Sequence, residues 1–445
     1  MGVNHAQPTR VLFFTTIMSW EGGACRAFRE AVKRVAARGV EPLVVIPDCA
    51  HSYEMFPKRD FDVVYMKMQR PRRTWNPWIQ ARYLALFPST ILFLRRLIRE
   101  NGIQLVHFNE LMDFMAGIAA KSCGIPCVCH VRAHRLPNPY RWGLLSMLKS
   151  TVNAIVVPSR YTGQWIKAED ANLGERVRLI HDFAWDVSES QPDADGNEFR
   201  RELGLAPDQI LVTLVSKLTP SKGHECFIRA AEKVFKVAKN IRFVVVGGPI
   251  EGHERDAAKI RALGEQLAPP PALRFLGPRF DLPCVYAASD IVVHCPTFPD
   301  TFPTVILLAM LAGKPIIGSH IGGIPEQIDH DRTGVLVAPG DPYALANAIL
   351  KLACDPAKRE SLGVAAKKGI NESWTPQTQG RLLAELYCEV IQRHFPQREG
   401  GSRLDQCTSL DPSPEAVLAG PRNSSRGTDL QLDEVRHPRQ DFKIG

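Results

Sequence analysis

The sequence predicts an α/β chain of two doubly wound domains that face each other across a cleft. Three observations predict it. At 445 residues the chain exceeds one ordinary core and fits two domains of roughly 150–200 residues each. A strand–helix–strand rhythm runs from Val11 to Ile180, and the same rhythm restarts at Ile210. Between them lies Ser188–Asn197, a polar run of turn-forming residues that reads as a linker or surface loop near a domain junction.

Val11–Thr16 is a short apolar strand, and the loop Ser19–Gly23 leads to a helix from Ala24 to Arg38, closed by Gly39. Strands at Leu43–Ile46 and Leu105–Phe108, a helix at Met112–Ser122 closed by Gly124, and a strand at Pro126–Val131 follow. Strands Ala154–Val157 and Val177–Ile180 end the first series. In the second, strand Ile210–Ser216 precedes helix Glu225–Val237, strand Phe243–Val246, helix Glu254–Gln266 and strand Arg274–Leu276. Strand Ile291–His294, a helix from Thr304 to Ala312 and strand Pro315–Ile317 come next. This alternation implies right-handed βαβ units on parallel sheets, whose ligands sit beyond the carboxyl ends of the strands. Thr375–Phe395 reads as a closing helix that packs back toward the first domain. The division is therefore residues 1–190, residues 191–374, the closing helix at 375–395 and a tail over 396–445. That tail is rich in Ser, Pro, Gly, Asp and Arg and reads as disordered.

With 45% hydrophobic and 23% charged residues the chain is globular in composition. Its formal net charge of +8 suits an acidic partner, either a phosphate-bearing substrate or an anionic membrane surface. No helix-turn-helix, zinc-finger or RNA-binding signature accompanies the charge, so nucleic acid is not expected as a partner. Several of the 11 cysteines, Cys127, Cys129 and Cys295 among them, lie in apolar strand-like runs, which suits free thiols in a reducing cytosol. Cys123, Cys127 and Cys129 have no second cluster to complete a tetrahedral set, so no metal is expected. No apolar run is long enough for a membrane span, no secretory leader is evident, and Ala6 stands where a myristoylation pattern wants Ser or Thr. A cytoplasmic protein is the expectation.

The most informative run is Pro299-Asp300-Thr301-Phe302-Pro303-Thr304-Val305-Ile306-Leu307-Leu308-Ala309-Met310-Leu311-Ala312-Gly313-Lys314-Pro315, continued by Ser319–Glu326. An acidic residue, Asp300, precedes a helix whose first turn begins at Pro303. The free N–H groups of Thr304 and Val305 then point into the cleft, where the helix dipole and unpaired donors favour an anion. Gly322-Gly323 lets backbone approach a ligand closely, and Pro325-Glu326 opens another helix. Taken alone, Asp300 equally suits the N-cap of an ordinary βα turn. The whole run does not.

This run resembles the signature of the family 4 retaining glycosyltransferases: an acidic residue, seven intervening positions, Glu-Ala-Met-Ala-x-Gly-x-Pro, and later Gly-Gly-x-x-Glu. Val215–Gly223, with Lys217 and Lys222, resembles that family's Gly-Arg-Leu-x-x-x-Lys-Gly. Val244–Gly248, Phe275–Gly277 and Tyr286–Asp290 resemble the segments between them, and the likeness runs over roughly residues 10–395. It is more specific in the second domain than in the first. The resemblance implies the GT-B fold, two Rossmann-like domains, and sugar transfer from a nucleotide-diphosphate sugar with no cofactor and no metal.

Charge develops on the departing diphosphate in such a transfer, and cations with fixed N–H donors there lower the barrier. The resemblance places Lys217, Lys222 and the amides of Thr304 and Val305 at that charge. It places Asp300 on the sugar hydroxyls, and Gly322, Gly323 and Glu326 around the donor. Lysine at position 217 keeps the charge of the family's arginine but loses its planar fork. Leu308 stands where the family carries its second Glu, which holds the ribose hydroxyls of the nucleotide. Leucine accepts no hydrogen bond, so either the ribose is gripped elsewhere, with Glu326 near in the motif, or donor binding is weakened or lost.

In the first domain Gly22-Gly23 resembles the family's glycine loop near donor phosphate and acceptor. The family often places a histidine at the end of the strand that here is Pro126–Val131. Arg132 is the best-matching position, with His130 two residues earlier on the same face of an extended strand. Both are candidate catalytic residues, and a satisfied structural histidine is the competing reading of His130. Arg70-Pro71-Arg72-Arg73 leads into Trp75, Trp78, Phe87, Leu92 and Arg95-Arg96. Such interleaving suits an anionic membrane surface within reach of a lipid-linked acceptor, or a buried helix pair interrupted at Pro88.

The expectation is thus retaining transfer to a glycan or lipid-linked acceptor, in cell-surface polysaccharide or glycoconjugate synthesis, at the inner face of a membrane. Two rivals stand beside it. A nucleotide-sugar-binding protein that has lost catalysis is favoured by Leu308 and opposed by Lys217, Lys222 and Asp300. A sugar-nucleotide epimerase would release product from the donor alone.

Overall fold

Near-continuous apolar runs such as Val44-Val45-Ile46 and Ile291-Val292-Val293 are buried on both faces, as the strands of a parallel sheet must be. The computed structural model describes residues 8–17, 23–68, 77–132, 138–183, 195–250 and 252–396. The expectations for Gly22, for Arg70–Trp75, for most of the Ser188–Asn197 linker and for a disordered tail beyond Pro396 lie outside the described residues. All described residues belong to one contiguous unit.

The first sheet has seven strands: β1 (Thr9–Phe14), β2 (Val40–Pro47), β3 (Asp62–Met66), β4 (Leu105–Phe108), β5 (Cys127–His130), β6 (Ala154–Val157) and β7 (Val177–Leu179). Their order is β3-β2-β1-β4-β5-β6-β7. The second has six: β8 (Ile210–Val215), β9 (Ile241–Val246), β10 (Leu273–Gly277), β11 (Ile291–His294), β12 (Ile316–Ser319) and β13 (Val335–Val337). Their order is β10-β9-β8-β11-β12-β13. Every neighbouring pair is parallel. Each sheet reverses its winding once, between β1 and β4 and between β8 and β11. Crevices beyond strand ends at such reversals are where open α/β sheets hold ligands.

The helix Thr304–Leu311 is buried from Ile306 through Met310, so it is enclosed rather than lying on the surface. The helix Pro376–His394 returns to the first sheet's layer. Its Leu383, Ala384 and Tyr387 share a buried cluster with Phe13 and Phe28. A side chain at Gly380 would come within 2.8 Å of Arg34 Cβ, so the helix lies directly against the helix Gly23–Ala36.

Two edge strands, β3 and β13, were not evident in the sequence. Both are short and only partly buried, so neither carries a long apolar run. The helix pair expected to break at Pro88 is one helix, Pro77–Glu100, with Pro88 inside it. Around the proline, the Ser89 and Thr90 hydroxyls donate to the Leu86 carbonyl at 2.8 and 2.9 Å.

Candidate active site

A cavity of about 300 Å³ opens at the carboxyl ends of the strands. The second domain supplies Lys217 after β8, Gly247 and Gly248 after β9, His294 at the end of β11, and the start of the helix Thr304–Leu311. The first domain supplies Gly23, Arg26, Arg132 and Asp182. A Cβ on Gly23 would stand 2.6 Å from Thr304 Oγ1, so the helix starting at Gly23 directly abuts the one starting at Thr304. Two helix N-termini therefore meet at one wall of the cavity.

The charges around it fall into paired and unpaired sets. Lys222 Nζ donates to Asp300 Oδ2, and His294 Nε2 stands 3.3 Å from the same oxygen. Burial alone would raise the Asp300 carboxyl, but Lys222 and His294 outweigh it and hold it far below the usual carboxylate range. An ionised carboxylate only accepts, so the His294 imidazole is the donor in this contact. Burial lowers the His294 pKa against the pull of Asp300. Arg132 is ion-paired with Asp182, and its Nε donates to Asn109 Oδ1 at 3.1 Å. Gln379, on the returning helix, donates to the other oxygen of Asp182 at 3.2 Å. By contrast, neither Lys217 nor Arg26 has an ion-pair partner among the described residues; burial lowers the pKa of Arg26.

The structure thus brings Gly23, Arg132, Lys217, Lys222, Asp300, Thr304 and Val305 to one cavity. Pro303 precedes the helix as its N-cap, in extended conformation, instead of opening its first turn; its carbonyl accepts from Ile306 at 3.2 Å. Leu308 lines the same cavity one turn further along.

His130, Gly322, Gly323 and Glu326 are not among the lining residues. His130 is fully buried behind Arg132, with Nδ1 3.4 Å from the guanidinium, and burial holds its imidazole neutral. The two glycines admit close protein backbone. A Cβ on Gly322, whose φ is +65°, would meet the Asp300 carbonyl at 2.4 Å, and one on Gly323 would meet that of Thr301 at 1.8 Å. The Gly323 N–H donates to the Asp300 carbonyl at 2.8 Å, so the pair braces the loop that carries Asp300. Glu326 accepts from the N–H groups of Arg160 and Tyr161 at 2.8 and 2.9 Å. It caps the first-domain helix Arg160–Glu169 across the domain boundary. The Thr301 hydroxyl makes a second bridge, donating to the Arg132 carbonyl at 2.7 Å.

Sequence reading missed Arg26, Asp182 and His294. His294 is the last residue of a central parallel strand, a position that by itself marks a cleft residue. Arg26 looks like any basic residue on an amphipathic helix, and Asp182 lies on an irregular segment after β7.

Residues 21–183 match the family described as Glycosyltransferase Family 4, and residues 195–369 match Glycosyl transferases group 1. The chain is 33% identical over 236 residues to D-inositol 3-phosphate glycosyltransferase of Corynebacterium glutamicum, a match covering 49% of this chain and 56% of that protein. It thus spans about half the length of the curated relatives of that kind that it matches. It is 24% identical over 321 residues to the GDP-mannose-dependent alpha-(1-6)-phosphatidylinositol monomannoside mannosyltransferase of Mycolicibacterium smegmatis, covering 67% and 80%. HepE of Anabaena, solved in complex with UDP and glucose, superposes with a TM-score of 0.73 at 22% identity, covering 86% of this chain and all of that one. That likeness shows a shared fold.

Proposed function

The chain belongs to the family 4, group 1 glycosyltransferases of GT-B fold, and from that premise we propose that it moves a sugar, with retention, from a nucleotide-diphosphate sugar to a glycan or lipid-linked acceptor. One observation carries the reading: Lys217, Lys222, Arg26 and two helix N-termini surround a single cavity at the strand reversal of the second domain. The bond between sugar and diphosphate breaks with negative charge gathering on the leaving oxygen, and fixed cations and amides stabilise that charge. Lys217 is available to it directly. Lys222 reaches it by exchanging or sharing Asp300, which then turns toward the hydroxyls of the sugar. The reading needs no added cofactor or metal. Arg132, with His130 behind it, forms the first domain's wall beside the reacting sugar.

Calorimetry with uridine, guanosine and adenosine diphosphates tests the donor site. At least one is expected to bind, and Lys222→Met is expected to weaken it by about tenfold or more, the scale of a hydrogen bond to a charged group. Binding by no nucleoside diphosphate of any common base, or full affinity in the variant, defeats the assignment. Donor hydrolysis or transfer by the purified protein separates an enzyme from a binding protein of this fold, the second reading that Leu308 keeps in play.

The reading extends to a membrane surface, on exposed aromatic and basic residues of two first-domain helices. Trp78 is 82% exposed and Trp142 81%, on the helices Pro77–Glu100 and Asn138–Thr151, and Leu92 is exposed among Arg95, Arg96 and Arg99. Exposed tryptophan beside arginine suits the interface of an anionic bilayer. The cysteines described are free, in keeping with a cytosolic face. No described helix is long and apolar enough to cross a membrane. Co-sedimentation with phosphatidylglycerol-containing vesicles, and not with pure phosphatidylcholine, is expected. Trp78→Ser with Trp142→Ser should abolish it; unchanged sedimentation of the double variant refutes this face.

A further inference from the structure

The helix that offers its N-terminus to the diphosphate also sets what the neighbouring pentose meets. Leu308 is four residues after Thr304, hence on the same face and about 6 Å further along the axis. A nucleoside diphosphate with a phosphate on the Thr304 amide places its pentose, one methylene beyond the phosphate, beside Leu308. The lining there is hydrocarbon: Leu308, Val215, Val246 and Leu282. Acidic side chains line the cavity at two described positions, Asp182 and Asp300, and each already holds a cation. Ser216 is a polar lining residue after β8; its hydroxyl donates to the Lys217 carbonyl at 3.2 Å and keeps its lone pairs to accept.

With both carboxylates paired and leucine beside the pentose, no acidic side chain is left to hold a pair of pentose hydroxyls, which suits a pentose with one free hydroxyl better than one with two. A ribose would bury its second hydroxyl against carbon without a partner, at the cost of a lost hydrogen bond. A 2′-deoxyribose presents a methylene to the leucine in the same place. We propose that the donor is a 2′-deoxyribonucleoside diphosphate sugar, selected by Leu308; the proposal rests on the donor-site reading above.

Calorimetry on the full-length protein with matched pairs differing only at the 2′ position tests it. The pairs are thymidine and 5-methyluridine diphosphates, with dUDP and UDP, dGDP and GDP, dADP and ADP, and dCDP and CDP. For whichever base binds, the deoxy member should bind about tenfold tighter, the scale of one hydroxyl left without a partner. Leu308→Glu should reverse the order by giving the ribose hydroxyls an acceptor. Equal or tighter binding of the ribose member by the natural protein overturns the deoxyribose proposal while leaving the donor site standing. Binding of no member removes the donor site itself, and the proposal with it.

Discussion

Two ion pairs face the same cavity from opposite domains and are built for different ends. Arg132 and Asp182 are 5% and 6% exposed, and Asn109, His130 and Gln379 add hydrogen-bonding contacts to them. Lys222 and Asp300 are 32% and 19% exposed and keep His294 as their neighbour. A pair this buried and this braced is fixed, because neither charge has much solvent to turn to. A half-open pair is held weakly enough for an incoming diphosphate to compete for the lysine. The first pair shapes a wall of the cavity, whereas the second is the part that a ligand rearranges.

Removing one partner from each pair should therefore give unequal stabilities. Asp182→Ala strands the Arg132 guanidinium in the core and frees Gln379, and should cost about 3–5 kcal/mol, read as a lowered urea midpoint. A loss below about 1 kcal/mol would place water against Arg132 and dissolve the distinction between the two pairs.

The same contrast separates what the sequence disclosed from what it withheld. Lys217, Lys222, Asp300 and Thr304 were legible because a strand end, a loop and a helix start are local features, and the cavity collects them without long detours. The protein partners of Glu326 and Gly322-Gly323, the Arg160 amide and the Asp300 and Thr301 carbonyls, were not legible because they come together only after folding. Local spacing describes a glycine pair able to admit close backbone; it does not say whether ligand or protein will fill the space. The parallel sheets were legible in their central strands, where two-sided burial demands continuous apolar runs. The partly buried edge strands β3 and β13 lack that demand. Pro88 misled because a local rule for proline was overridden by packing along a long helix.

Buried imidazoles add a pH dependence with a mark in each domain. Burial, with Arg132 nearby, pushes His107 down to about 3, and burial pushes His224 down to about 4. Unfolding returns both toward the ordinary value near 6.5, so below that pH the unfolded chain binds protons that the folded chain refuses. Their contribution is complete above about pH 6.5 and falls away as pH drops toward those lower values. Each imidazole should account for on the order of 2 kcal/mol between about pH 7 and pH 5. His107→Gln, which retains a polar partner for Tyr387 Oη, should flatten the urea midpoint against pH by one proton's worth. An unchanged slope would mean that His107 is protonated in the native state.

The smallest stability effect belongs to the exchangeable pair, and it carries the most information about the site. Asp300→Ala leaves Lys222 in contact with solvent, so folding should lose no more than about 1 kcal/mol. The lysine no longer has a carboxylate to satisfy, and the cavity no longer holds a negative charge against an incoming diphosphate. Free nucleoside diphosphate should then bind a few-fold tighter, while sugar transfer falls because the hydroxyl contact is gone. These opposite signs are the signature of a ligand displacing Lys222 from Asp300. Should diphosphate binding weaken along with transfer, Asp300 would instead be the group that holds Lys222 in position, and the second pair would be as fixed in purpose as the first.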